Sequence, residues 1–129
     1  MSIPATTEAP LGRQSLIELW GCATSVLDDA AQIEAALREA AARAGATPVQ
    51  ALLHRFAPVG VSGVLVLRES HLAIHTWPER GYAAVDLFTC GATVDHRAAV
   101  AALQAALGAD RVEVQEIPRG LIGDSAEGC

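Results

Sequence analysis

Apolar residues recur at every second position in some stretches of the chain and at every third or fourth in others. These two rhythms divide it into strands and helices. "SLIELWGC" (15–22) reads as a strand ending at Gly21. "LDDAAQIEAALREAAARAG" (27–45) is a helix with Ile33, Leu37 and Ala40/Ala41 on one stripe; Asp28 or Asp29 supplies its N-cap and Gly45 its stop. "PVQALLHRF" (48–56) is strand-like, and "APVG" turns the chain. "VSGVLVLR" (61–68) and "HLAIHTW" (71–77) are β-branched or apolar runs separated only by Glu69-Ser70, the spacing of a two-residue hairpin. After the turn "PERG" comes the strand "YAAVDLFTC" (82–90). Asp95 caps a helix over 96–107 with Val100, Leu103 and Leu107 on one face, and "RVEVQEI" (111–117) is a last strand. The first dozen residues, rich in Pro and Thr, read as a loose tail, and nothing periodic follows Pro118.

The order β-α-β-β-β-β-α-β gathers strands between two helices. It predicts an α+β fold: a two-layer sandwich with a mostly antiparallel sheet and two main helices on one face. With 129 residues and no internal repeat, a single domain over 1–129 is expected.

Composition sharpens this. Hydrophobic residues make up 51% of the chain and aromatics only 4%, so the core must be built from Ala, Val, Leu and Ile. The formal charge of −6 argues against a nucleic-acid binder, which needs a basic face. "MSIPATTEAP" has neither the basic start nor the apolar run of a signal peptide. "AAVAALQAALGA", broken by Gln104, is too short to span a bilayer. Cys22, Cys90 and Cys129 are odd in number and far apart, which predicts free thiols and a cytoplasmic protein.

Several familiar sites fail on spacing. His71 and His75 resemble a metal pair, but four strand residues span roughly 13 Å, too far for one zinc ion; no metal site is expected. Ser62 in "GVSGV" is not a nucleophile elbow, since no helix follows. No glycine loop leads a strand into a helix to cradle phosphate. Glu69-Ser70 is a poor turn dipeptide where Asn-Gly is preferred, and local mismatches of that kind tend to mark functional or strained sites. Taken singly, Ser70, His75, Cys90, Trp77 and Glu79 have bland readings as turn, strand or packing residues.

Taken together they do not. "GVSGVLVLRESHLAIHTWPERGYAAVDLFTCG" (60–91) closely resembles the central segment of the bacterial and archaeal S-adenosylmethionine decarboxylases. "LGRQSLIELWGC" (11–22), "LDDAAQIEAALREAAARAGAT" (27–47) and "LHRFAPVG" (53–60) extend the resemblance in order and spacing over roughly residues 11–120. Decarboxylating an α-amino acid needs an electron sink, which no ordinary side chain provides. The resemblance implies a pyruvoyl cofactor made from Ser70 by autocatalytic cleavage at Glu69-Ser70. Ser70 Oγ would attack the Glu69 carbonyl, turning the amide into an ester. Elimination would release residues 1–69 (a β chain), and hydrolysis would leave a keto group on residues 70–129 (an α chain). By the same resemblance His75 moves a proton in cleavage and Ser62 assists it. The substrate amine then forms a Schiff base, and Cys90 as a thiol returns a proton to Cα. Phe56 and Trp77 are expected to flank the adenine and Glu79 to bind the ribose hydroxyls. A homodimer of processed units, with sites at the interface, is implied as well.

The chain departs from the family pattern at Gln14, where a histidine is common, at Arg80, where tyrosine is expected, and at "VDHRAA", where a Pro-Trp pair stands. Two other readings therefore stay open beside decarboxylation of S-adenosylmethionine for spermidine synthesis. One is a pyruvoyl-dependent ornithine or arginine decarboxylase. The other is an unprocessed relative that regulates an active partner.

Overall fold

The computed structural model describes residues 9–122. Its strands are β1 (Ala9–Trp20), β2 (Pro48–Arg55), β3 (Val61–Leu67), β4 (Ser70–Trp77), β5 (Tyr82–Cys90) and β6 (Arg111–Ile122). They form one sheet in the order β2-β3-β4-β5-β1-β6, every neighbouring pair antiparallel. The helices are a short α1 (Thr24–Leu27), then α2 (Ala30–Ala44) and α3 (His96–Leu107); a 3₁₀ turn covers Pro78–Arg80. This is the expected α+β two-layer arrangement.

The core lies between the sheet and the two long helices. Ile17, Leu19, Leu65, Leu72, Ile74, Val85 and Leu87 from alternate strand positions meet Ile33, Leu37, Leu103 and Leu107 from the helices. Ala36, Ala40, Ala41, Ala44 and Ala99 are buried among them; side chains this small let helix and sheet backbones approach closely. Asp29 caps α2 by accepting from the Ala31 and Gln32 amides, and Gly45 ends it in the left-handed region at φ 77°. Asp95 caps α3 through the Ala98 amide.

Three expectations are corrected. The helix expected over 27–45 begins at Ala30, because residues 24–27 form a separate turn before Asp29. Residues 9–12 and 118–122 are strand, since β1 and β6 pair out to Ala9 opposite Ile122. Backbone pairing orders these ends, and it leaves no side-chain rhythm to read. The hairpin loop is Arg68-Glu69: Leu67 pairs with Ser70, which opens β4. Residues 1–8 and 123–129, with the remainder of both expected tails, lie outside the described residues.

Because Ser15, Ile17, Leu72, Ile74, Leu87 and Thr89 point into the core, their strand neighbours face away from the helices. Gln14, Ser62, His71, His75, Trp77, Asp86 and Cys90 share that outer face.

Candidate active site

The β3–β4 turn is held on both sides. The Glu69 carboxylate accepts from the Thr47 amide at 3.0 Å and Thr47 Oγ1 at 3.2 Å, and the Arg68 amide donates to the Thr47 carbonyl at 2.9 Å. The Thr47 amide above all holds this carboxyl below its usual range. On the other side the Cys90 amide donates to the Glu69 carbonyl oxygen at 2.8 Å. Between these anchors Ser70 has φ 147°, where a Cβ is strained. A residue held this way stores about 1–3 kcal/mol. The scissile carbonyl expected from the sequence thus carries a hydrogen-bond donor on its oxygen and strain on its far side.

The expectation of free thiols holds at Cys22, which is buried and pushed up to about 11 by burial and by Asp110. It is corrected at Cys90, which is disulfide-bonded. The core shields the first sulfur, whereas the second is part-exposed at the end of β5.

A second cluster sits at the other end of β4. Ser62 and His75 are opposite one another in the β3–β4 ladder, with Ser62 Oγ 2.8 Å from His75 Nδ1. Together with Phe56, Trp77 and Glu79 they line a cleft of about 240 Å³. Phe56 and Trp77 are 46% and 42% exposed, so both rings have free faces. Phe56 leans edge-on against His54, and Trp77 lies 5.3 Å from Tyr82, itself stacked on Trp20. The cleft floor is fixed by Thr76, whose Oγ1 donates to the Leu27 carbonyl at 2.8 Å and accepts the Val61 amide at 2.9 Å.

The eight expected site residues therefore fall into two groups. Glu69, Ser70 and Cys90 gather at the turn, and Ser62, His75, Phe56, Trp77 and Glu79 gather in the cleft. Five strand residues separate Ser70 from His75, roughly 16 Å at 3.3 Å each. Within one chain the two groups do not meet.

Between them on the outer face, His71 Nε2 lies 3.0 Å from Asp86 Oδ2, which also accepts from Gln14 Nε2 at 3.3 Å. His71 is held by a carboxylate and His75 by a serine. Among the described residues no group of three or more His, Cys, Asp or Glu could hold a metal ion. On the inner face, His96 is buried between Ser15 and Thr89. Burial first, and Arg13 next, hold its pKa below the ordinary value, against Glu116 and Asp95. The sequence reading gave no role to Thr47, Asp86 or His96; only the departure at "VDHRAA" drew attention to the last.

A family model described as S-adenosylmethionine decarboxylase matches residues 13–120. The chain belongs to the S-adenosylmethionine decarboxylase family. A relative from Thermotoga maritima named "S-adenosylmethionine decarboxylase proenzyme" is 54% identical over 110 residues, 85% of each chain. One of the same name from Pseudomonas aeruginosa is 50% identical over 113 residues, 88% of this chain and 71% of the relative. A solved structure described as the adenosylmethionine decarboxylase from Aquifex aeolicus superposes with a TM-score of 0.83 at 32% identity, covering 92% of this chain and 98% of the other. This decarboxylase family thus accounts for nearly all of the sheet and both long helices.

Proposed function

We infer that this chain is a pyruvoyl-dependent S-adenosylmethionine decarboxylase, supplying the aminopropyl donor for spermidine synthesis, and that Ser70 is the source of its pyruvoyl group. Family membership supports the activity. The observation that carries the self-cleavage is the Glu69 carbonyl, held by the Cys90 amide at 2.8 Å beside a serine at φ 147°. Ser70 Oγ attacks the Glu69 carbonyl carbon; a C–O bond forms, and the C–N bond breaks to leave an ester and a free amine. Negative charge passes through the carbonyl oxygen, where a fixed N–H stabilises it. Loss of the Ser70 α-proton then expels the Glu69 carboxylate, giving residues 1–69 and a dehydroalanine at position 70. Water adds and ammonia leaves, so that a keto group heads residues 70–129.

Once formed, that group supplies the electron sink for loss of carbon dioxide. The chain's own residues do the rest. Cys90, opposite the turn, is the acid that returns a proton to Cα, a role that requires the reduced thiol. Phe56 and Trp77 offer faces to a flat base, and the Glu79 carboxylate can accept from two neighbouring hydroxyls.

Proton transfer needs contact near 3 Å, so His75 with Ser62 cannot serve the Ser70 of its own chain some 16 Å away. We propose a homodimer in which the turn of one protomer enters the cleft of its partner. Exposed Leu52, Phe56, Val66 and Trp77 would be covered by such pairing.

Mass spectrometry of the purified protein tests the cleavage: two fragments divided before Ser70, the second headed by a ketone, are expected. A single intact chain in an active preparation would overturn it. Carbon dioxide release from S-adenosylmethionine, ornithine and arginine tests the substrate; release from the amino acids alone would assign the other activity.

A further inference from the structure

Helix α3 opens with a histidine that the reaction above does not use. His96 is 3% exposed, and both ring nitrogens are engaged: Nδ1 lies 2.7 Å from Ser15 Oγ, and Nε2 lies 2.8 Å from Thr89 Oγ1. A neutral imidazole donates from one nitrogen and accepts at the other, and hydroxyls can complete either tautomer. The ring thus bolts the start of α3 to two strands, β1 through Ser15 and β5 through Thr89. That start is itself fixed, since the Asp95 amide donates to the Ala44 carbonyl at the end of α2 at 2.9 Å.

Thr89 is where this bolt meets the scissile bond. It stands opposite Ser70 in the β4–β5 ladder, and the next amide along, that of Cys90, is the donor to the Glu69 carbonyl. A β-branched side chain is stiff about χ1, so holding its Oγ1 also restrains its backbone. Restraining residue 89 aims the following N–H. A donor aimed before the reaction need not reorganise when charge gathers on the oxygen.

We propose that His96 is a positioning residue for self-cleavage, holding Thr89 and through it the Cys90 amide on the carbonyl oxygen of Glu69. The inference rests on the reading that the Glu69–Ser70 bond rearranges.

The test follows the uncleaved chain, made by cell-free translation, as it splits, alongside the thermal midpoint of each variant. Asparagine puts its amide where Nδ1 stands and glutamine where Nε2 stands, so His96→Asn keeps the Ser15 contact and His96→Gln keeps that to Thr89. Cleavage is expected to slow about ten- to a hundredfold in His96→Asn and in the near-isosteric Thr89→Val. In His96→Gln it stays within about threefold of the parent, and the pair Thr89→Val/His96→Asn is no slower than either alone. Equal slowing in the Asn and Gln variants, tracking a lowered midpoint, would overturn the positioning role. So would an unimpaired His96→Asn. Should His96→Asn not fold, Thr89→Val against His96→Gln decides the same question. A parent chain that never splits would overturn the self-cleavage reading and this one with it; a parent that splits while these variants keep pace overturns only the role of His96.

Discussion

At Ser70 the backbone takes a conformation that suits glycine, yet glycine has no hydroxyl to attack with. Replacing Ser70 by Ala should leave one intact chain and no turnover, as mass spectrometry and carbon dioxide release would show. Cys90 contributes two different groups. On the proposed mechanism its amide bears on cleavage and its sulfur on turnover, so Cys90→Ala should still split while losing about 10²- to 10⁴-fold in turnover. Because Cys90 is disulfide-bonded, turnover of the parent should rise with dithiothreitol; full turnover in a preparation whose Cys90 thiol is shown by alkylation to be blocked would remove the thiol from the mechanism. His96 gives a pH signature. Its folded pKa is lowered by burial, so the unfolded chain takes up its proton first as pH falls. The stability it contributes is complete above the unfolded value near 6.5 and declines as pH drops below that value towards the folded one. The thermal midpoint of the parent should therefore fall between pH 7 and pH 5 more steeply than that of His96→Gln.

Among the elements, the β3–β4 hairpin depends on a loop it does not pair with. Thr47, between α2 and β2, grips Glu69 by its amide and its hydroxyl. Thr47→Ala keeps the first bond and loses the second, a net cost of about 0.5–1.5 kcal/mol. If the turn must be gripped to stay strained, cleavage should slow by up to about tenfold with the rest of the fold unaffected, as time courses and far-ultraviolet spectra would report. How much of this was legible in the sequence differs by element. β5 and α3 fall on the expected residues, because a period-2 run ending in cysteine and an Asp-capped period-3.6 run are local patterns. The outer ends of β1 and β6 were not legible, since Pro10, Gly12, Pro118 and Gly120 are poor strand formers ordered by pairing with neighbouring strands. The site residues were visible as a motif, but their division into two groups was not. That division follows from β4 being extended, which carries His75 away from Ser70 by the length of the strand.

For the whole molecule, the separation makes complementation the decisive experiment. Coexpressing Ser70→Ala with His75→Ala gives mixed dimers in which an intact turn on one protomer faces an intact cleft on the other. The His75→Ala chain, inert alone, should then be cut, and failure to cut it would refute the shared site. The strand order also decides what cutting does to the protein. Residues 1–69 hold β1, β2 and β3, and residues 70–129 hold β4, β5 and β6. In the sheet β1 is seated between β5 and β6, and β3 lies against β4. The two pieces are interleaved, so each is zipped into the other along three ladders. A nick at the edge of such a weave gives up one covalent bond and leaves nothing free to drift off. If the chain is cut there as proposed, a reactive end group would cost it one backbone bond and leave the two pieces paired.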